Sequence, residues 1–451
     1  MAFPDPAFFL TRLNMYEYSA RGSVIDDPDE VRHHRGSALD FLRRHEADAA
    51  RAISAGIRGA KEIAPHLIDR IADARTMRLA WQYLAEKGGQ APGPDHRRYR
   101  DYTSTEIWEW CRCLASAVRD GTYRPSPERV LWIDKASKKG SRPIVLLTIA
   151  DRVVQRAIFI ILQPVLDPLF SPHALGYRPR LGPWHALSVA EHITLTQGRR
   201  VWLAEDVRDA FQHVPISRLI QVFEKILPAG NLIELLERVL PAQTLPGLRQ
   251  GGSLSPLALN VYMNHVLDRP WLQRHGHLPL IRVADDLLVL CRSTKQAERA
   301  REEMVHLLIP AGLPLKVVAG ETTIHDLGSG EAADWLGFTI KKTERSIAYG
   351  LAERSWKRLD GLFAIAHTKS DAPIRAVQTV IRPWLWHRAP SHDSEDRDLV
   401  CSMIAACART HAFEEVPNAD ELLVHWEHAA GRWRQLRKGV RGTYRRTGSV
   451  V

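Results

Sequence analysis

The stretch that most constrains this chain is Leu280-Ile281-Arg282-Val283-Ala284-Asp285-Asp286-Leu287-Leu288-Val289-Leu290. Two adjacent carboxylates sit between apolar runs of strand length rich in Ile, Val and Leu, a pattern that reads as a β-hairpin whose tight turn displays the acids. Neighbouring side chains on a strand turn to opposite faces, so a flat strand offers only one of Asp285 and Asp286 to a given site. A second acid must come from elsewhere. Asp206 is the candidate: it follows the apolar segment Val201-Trp202-Leu203-Ala204 and opens Asp206-Val207-Arg208-Asp209-Ala210-Phe211. With that segment beside the hairpin, Asp206 and Asp285 would share two divalent cations, which take hard oxygen ligands and substrate phosphates together. A lone Asp-Asp pair is commonly a solvated turn. Here, however, a Gly-rich turn running into a helix, Leu248-Arg249-Gln250-Gly251-Gly252-Ser253-Leu254-Ser255-Pro256-Leu257-Ala258-Leu259-Asn260, lies between the two acids.

These blocks, in this order, resemble the reverse transcriptases, and most closely their bacterial group II intron-like branch. Asp206 to Phe211 is similar to that family's first catalytic block, Gln250 to Asn260 to its QGxxxSP block, and Val283 to Asp286 to its YADD block. The resemblance spans roughly residues 75 to 345 by motif. It implies an α+β right-hand polymerase: fingers and palm with an antiparallel, RRM-like palm sheet, plus an α-helical thumb and an α-helical N-terminal extension. It also implies RNA-directed DNA polymerase activity with two Mg2+ ions per site, for which Mn2+ can substitute. Asp206 and Asp285 would hold them and Asp286 would add charge.

On the same resemblance, Phe211 lies beneath the sugar and favours deoxynucleotides. Apolar walls reject a hydroxyl only by on the order of 10²-fold. Gln250 and the glycines after it would bring backbone to the nucleotide and the templating pair. Upstream, Val130-Leu131-Trp132-Ile133 and Ile144-Val145-Leu146 read as two strands joined by a basic turn, like the family's fingers hairpin; Lys135 and Arg142 match its triphosphate-clamping positions. Ala150 to Gln155 opens a helix read to Phe170 and broken by Pro164, and Gly176-Tyr177-Arg178-Pro179 follows. Arg178 is assigned to the template backbone, with a structural ion pair as the alternative. Trp335-Leu336-Gly337-Phe338-Thr339-Ile340 matches the turn that ends the palm and grips the primer.

Two departures stand out. The family's usual tyrosine before Ala-Asp-Asp is Val283, which removes an aromatic surface near the primer end. Glu321 stands where a lysine is common, leaving Lys316 as the alternative proton donor to pyrophosphate.

The 451 residues, 45% of them apolar, allow two or three domains. Residues 1–90 read as a helical extension, with a break at Gly88 to Pro94. Residues 91–345 read as fingers and palm, and 346–451 as thumb helices with a basic tail. Thr103 and Glu106 form a capping box for a helix to about Arg119, and its Trp108 and Trp110 read as core residues. A net charge of +10, from 62 basic against 52 acidic residues, suits a polyanionic partner. No acid follows Glu427, so Arg434, Arg437, Lys438 and Arg441 in the tail are candidate nucleic-acid contacts, with Trp433 and Tyr444 interleaved. The five cysteines show no pair at zinc-binding spacing, so neither a zinc site nor a disulfide framework is expected. No leader-like segment and no run near 18 apolar residues is seen, so a cytoplasmic protein without a membrane partner is expected.

The expected partners are a structured non-coding RNA as template and scaffold, dNTPs and the cDNA product, in anti-phage defence by family analogy. The alternatives are a maturase-type RNA-binding protein and a template-independent or protein-primed polymerase. No HNH endonuclease block follows the thumb segment, which points away from mobility by the intron's usual route.

Overall fold

The computed structural model describes residues 28–134, 141–318, 320–364, 366, 373–413 and 419–447. Its first part is helical: Pro28–Ile53, Ile57–Ile63, Leu67–Ile71 and Ala74–Lys87. The periodic apolar positions Leu42, Ile53, Leu67, Ile68, Ile71, Leu79 and Leu84 are buried. They share one core with the helix Ile149–Leu166, so the Gly88 to Pro94 break is a loop on the surface of that core and does not divide two cores. His45 underlines the joint, its Nε2 lying 2.8 Å from the Ile161 carbonyl.

The helix Ser104–Arg119 starts with the expected reciprocal cap. Glu106 accepts from the Thr103 amide at 2.9 Å while the Thr103 hydroxyl oxygen accepts from the Glu106 amide at 3.4 Å. Trp110 packs half-buried against the core. Ile149–Leu166 runs unbroken through Pro164, contrary to the expected break. Pro164 sits in the last turn, where its missing N–H forfeits a single helical hydrogen bond before the chain enters the 3-10 turn Asp167–Leu169.

β1 (Arg129–Asp134) and β2 (Ser141–Leu146) pair antiparallel, from Arg129 opposite Leu146 to Asp134 opposite Ser141. β3 (Val201–Asp206), β4 (Leu280–Val283), β5 (Asp286–Cys291) and β6 (Ile324–Asp326) form an antiparallel sheet in the order β4-β5-β3-β6. Both faces are buried, which explains why these strands read as continuous apolar runs. Leu203, Leu287, Val289 and Cys291 join the core shared with the N-terminal helices; Trp202, Ile281, Val283, Leu288 and Leu290 join a second core on the other face.

That second core is closed by the helix Pro183–Gln197, the helix Ala419–Thr447 and a three-stranded sheet of β7 (Ala333–Trp335), β8 (Phe338–Lys342) and β9 (Ile347–Leu351). Leu336 and Gly337 turn β7 into β8, both at positive φ (51° and 88°), the conformation of a two-residue hairpin turn. Helices Glu353–Ala364, Pro373–His387, Arg397–Thr410 and Ala419–Thr447 pack Leu359, Phe363, Ile381, Trp384, Ile404 and Trp426 into a third core. Among the described residues no helix is long and apolar enough to cross a membrane.

The C-terminal helix is fixed by charge as well as packing. Glu191, wholly buried on Pro183–Gln197, meets Arg437 at 2.9 Å and Arg441 at 2.5 Å, and its carboxylate accepts from the Tyr349 hydroxyl at 3.3 Å. Removing the acid strands two guanidinium groups that keep only part of their hydration. Glu191→Ala is therefore expected to cost about 2–3 kcal/mol, below the ~3–5 kcal/mol of a wholly buried pair. Urea unfolding followed by circular dichroism checks this; an unchanged midpoint would show that the clasp carries no stability.

Candidate active site

The acidic hairpin closes with a two-residue turn. Val283 pairs with Asp286, which leaves Ala284 and Asp285 at the tip, Ala284 at φ 61°. Ala284 is an unusual residue for positive φ, and the turn is held from behind. The Arg282 side chain, 1% exposed, bonds Asp268 through Nε (3.0 Å) and Nη2 (2.6 Å), and donates from Nη1 to Asn260 Oδ1 (2.8 Å) and the Ala284 carbonyl (3.1 Å). Asn260, on the helix Ser255–Met263, also donates to the Gly176 carbonyl at 2.8 Å. The segment around 174 lies against β4, with Leu175 N donating to Arg282 O (2.7 Å) and Arg282 N to His173 O (2.9 Å). At Gly176 a Cβ would stand 2.2 Å from the Ala284 nitrogen, so only glycine lets the chain pass there.

Asp206, at the end of β3, stands directly opposite Asp286 across the β3–β5 ladder. Directly opposed residues present their side chains on one face of an antiparallel pair, so these two carboxylates face together. The ladder continues into the turn, Val207 N donating to Asp285 O at 3.1 Å. Asp286, rather than Asp285, is thus the strand residue opposite Asp206, while Asp285 joins them from the turn.

Partial burial raises all three, and repulsion from a neighbouring carboxylate adds to it in each case. Asp206 is pushed up to about 6, by lost hydration and then by Asp285, with Lys316 and Arg354 opposing. Asp286 is pushed up to about 7, by lost hydration and then by Asp285 and Asp206. Asp285 is raised by burial and by Asp209, against its backbone hydrogen bond, Arg282 and Lys316. Such a cluster binds protons or multivalent cations strongly, and its all-oxygen donor set fits a hard ion such as Mg2+. Lys316 borders it, its Nζ 3.7 Å from Asp206 Oδ2 and its amide on the Asp206 carbonyl at 2.7 Å.

Phe211 lies half-buried in the short helix Ala210–His213 that follows β3, its ring 6.2 Å from that of Tyr177 in an edge-on arrangement. Its carbonyl accepts from Leu248 N at 2.7 Å, which draws the Gly-rich block to the acids. Gln250 is half-buried and its carbonyl accepts from Val145 N at 2.9 Å, tying that block to β2. Gly252 passes so near Gln155 that a Cβ would lie 2.7 Å from its Oε1.

The other expected contacts are distributed differently. Lys135 lies outside the described residues, and Arg142 is placed only by its backbone, opposite Ile133 in the β1–β2 ladder. Arg178 is engaged within the fold, as in the ion-pair alternative. Its guanidinium is buried, with Nε and Nη2 on Asp167 (3.0 and 3.2 Å), Nη1 on the Ser171 and Ala174 carbonyls, and a further bond to the Asp167 carbonyl. No donor is left for a phosphate. In the tail, Arg434 pairs with Asp393 at 2.8 Å and Arg437 and Arg441 close on Glu191; Lys438 is exposed, as are Arg434, Arg432, Arg445 and Arg446.

Arg282, Asp268, Asn260 and Tyr177 were missed as functional positions. A charged residue inside an apolar strand was the available signal for Arg282, since arginine is buried only when paired. The structure also brings Asp360, Cys407 and His411 together; these are the described residues whose metal-ligating atoms all lie within 4.8 Å of one another. Cys407 and His411, four apart at the end of one helix, were not read as a pair, and His411 Nε2 is already engaged by Asp360 Oδ1 at 2.7 Å. The three acids do not meet that spacing and form a more open set.

A family model described as "Reverse transcriptase (RNA-dependent DNA polymerase)" matches residues 133–340, the span that contains this geometry. The group II intron-encoded protein LtrA of Lactococcus lactis subsp. cremoris is 31% identical over 170 residues, 36% of this chain and 28% of that protein, so the chain spans well under half of that relative. Protein YkfC of Escherichia coli (strain K12) is 26% identical over 292 residues, 55% of this chain and 75% of that protein. Among solved structures, a chain of the "Partial Cas6-RT-Cas1--Cas2 complex" aligns at TM-score 0.33 and 24% identity over 53% of this chain and 41% of that one, a likeness too loose to carry an argument. The three acids, the Gly-rich block that folds against them and β2 all fall within the matched span: residues 133–340 match the reverse transcriptase domain, and the chain is similar there to a group II intron-encoded protein.

Proposed function

We propose that the chain is an RNA-directed DNA polymerase that copies a structured non-coding RNA, its template and scaffold, into cDNA from dNTPs. The observation that carries this is the register: Asp206 is opposite Asp286, and Asp285 joins them from the adjoining turn, inside a reverse transcriptase domain. On this reading β3 to β6 are the palm, β1 and β2 the fingers hairpin, and the helices after Glu353 the thumb. A role in bacterial anti-phage defence belongs to the same proposal and rests on family analogy.

Asp206 and Asp285 hold the cations and Asp286 supplies further negative charge. Mg2+ held by these residues would supply Lewis-acid chemistry, lowering the pKa of the primer 3′-hydroxyl and offsetting charge on the leaving pyrophosphate. The chain's own groups do the rest. Phe211 underlies the sugar of the incoming nucleotide, and the backbone after Gln250 abuts the new base pair. Lys135 and Arg142 bind the triphosphate, and Lys316, on the Asp206 side, donates a proton to pyrophosphate in place of the residue that Glu321 replaces. Exposed Lys438, with Arg432, Arg445 and Arg446, meets the nucleic-acid backbone, which gives binding a steep salt dependence.

Purified protein with Mg2+, dNTPs and a primed RNA template is expected to make cDNA, and Asp285→Ala to lower the rate by at least about 10²-fold. Equal incorporation by both would contradict the assignment. A pure RNA-binding maturase predicts a different outcome, with Asp285→Ala supporting its RNA's folding as well as wild type.

A stability measurement tests the same cluster without turnover. Asp286 is raised to about 7 when folded, above its ordinary carboxylate value, so its ionisation costs stability, fully so above pH 7. As pH falls through 7 toward 4, the folded state takes up the proton first and the cost disappears. Asp286→Asn is therefore expected to melt higher than wild type at pH 8 in EDTA, with the advantage fading toward pH 4. Added Mg2+ is expected to raise wild type more than the variant. A lower melting point at pH 8 would show that Asp286 is not repelled in the fold.

A further inference from the structure

Tyr177 is the described aromatic residue beside the acids that the mechanism above leaves unused. Its backbone has φ 56°, a costly conformation for a bulky side chain, and its ring is 45% exposed. Its neighbours hold it there. Gly176 is wedged on the Val283–Ala284 peptide and its carbonyl is bonded by Asn260; Arg178 is locked on Asp167. The strain thus presents an aromatic side chain to solvent where packing gives no reason for one.

What Tyr177 faces gives the reason. Its ring meets Phe211 edge-on at 6.2 Å, and its phenol is pushed up to about 12 by lost hydration and by Asp285 and Asp286. Val283, at the position where the family's aromatic residue usually stands, is paired with Asp286 and buried in the second core, and it supplies no ring. An aromatic surface is therefore present beside the acids, contributed by a different segment.

Resting on the polymerase reading, we propose that Tyr177 and Phe211, packed edge-on, form a two-sided aromatic corner against which the sugar of the incoming nucleotide sits, so that Tyr177 sets dNTP affinity and helps reject ribonucleotides. One apolar wall discriminates a hydroxyl weakly, and a second rigid ring narrows the space left for a 2′-oxygen.

Single-nucleotide incorporation on a primed RNA template, with dNTP and with the matching rNTP, tests this for wild type, Tyr177→Phe, Tyr177→Ala and Tyr177→Gly, each also melted thermally. Tyr177→Ala is expected to raise the dNTP KM about 10-fold with kcat within about 3-fold, and to cut the dNTP over rNTP preference about 10-fold. Tyr177→Phe keeps the ring and stays within about 3-fold of wild type on both counts. Tyr177→Gly relieves the positive φ, so it melts at or above wild type while its KM rises as for alanine.

Wild-type KM and preference in Tyr177→Ala would overturn the proposal, as would a melting loss in Tyr177→Gly matching its loss of activity, which would mark a merely structural role. If wild type itself makes no product, the polymerase reading falls and the corner falls with it. Product from wild type with no effect of Tyr177→Ala removes the corner alone.

Discussion

The site depends on one buried cation. Arg282 sits inside β4, in the middle of an apolar run, and all its contacts point at structures that must stay in register: Asp268 on one side, Asn260 of the Gly-rich block's helix on another, and the Ala284 carbonyl in the acidic turn itself. Hydrophobic residues of equal volume would do as well or better for stability, since desolvating an ion pair costs about what the pairing returns. They could not hold the turn. Breaking the pair leaves an uncompensated charge in the core, at a cost of about 3–5 kcal/mol, so alternative registers of this hairpin are heavily disfavoured. A one-residue slip would also carry Asp286 away from Asp206 and turn the apolar set of β5 to the wrong faces.

The rest of the fold pays for what this turn demands. Three carboxylates in partial burial repel one another, as their raised pKa values record. Positive φ at Ala284, Tyr177 and Asp209 adds backbone strain close by. Two cores, one on each face of the β3 to β6 sheet, supply the offsetting burial, and Glu191 with Arg437 and Arg441 fastens the C-terminal helix over the second. The helices at the N-terminus contribute to the first core, so they belong to the platform beneath the site.

Much of this was legible in the chain. The acidic hairpin, the choice of Asp206, the capping box at Thr103 and the helical periodicity before residue 90 all rest on local patterns, and local patterns survive into the fold. What failed or stayed open was long-range. For Arg178 the sequence left a template contact and a structural ion pair both open, and Asp167, eleven residues earlier, is what decides for the pair. Arg437 and Arg441 look like a nucleic-acid stripe because their acid, Glu191, lies about 250 residues away in sequence. Pro164 suggested a break, but a proline in a final helical turn removes little. Tyr177 gave no sign at all, since the role proposed for it rests on a backbone conformation and on Phe211, neither of which spacing reveals.

The central claim is that Asp206 and Asp285, with Asp286 adding negative charge, hold a pair of divalent cations. Anomalous scattering from Mn2+-soaked crystals carrying a primed RNA template and a non-hydrolysable dNTP measures this directly. The account predicts two peaks about 3.5–4 Å apart against these three carboxylates, and the loss of at least one in Asp206→Asn. Mn2+ bound elsewhere, or a single ion that leaves Asp206 untouched, would contradict it.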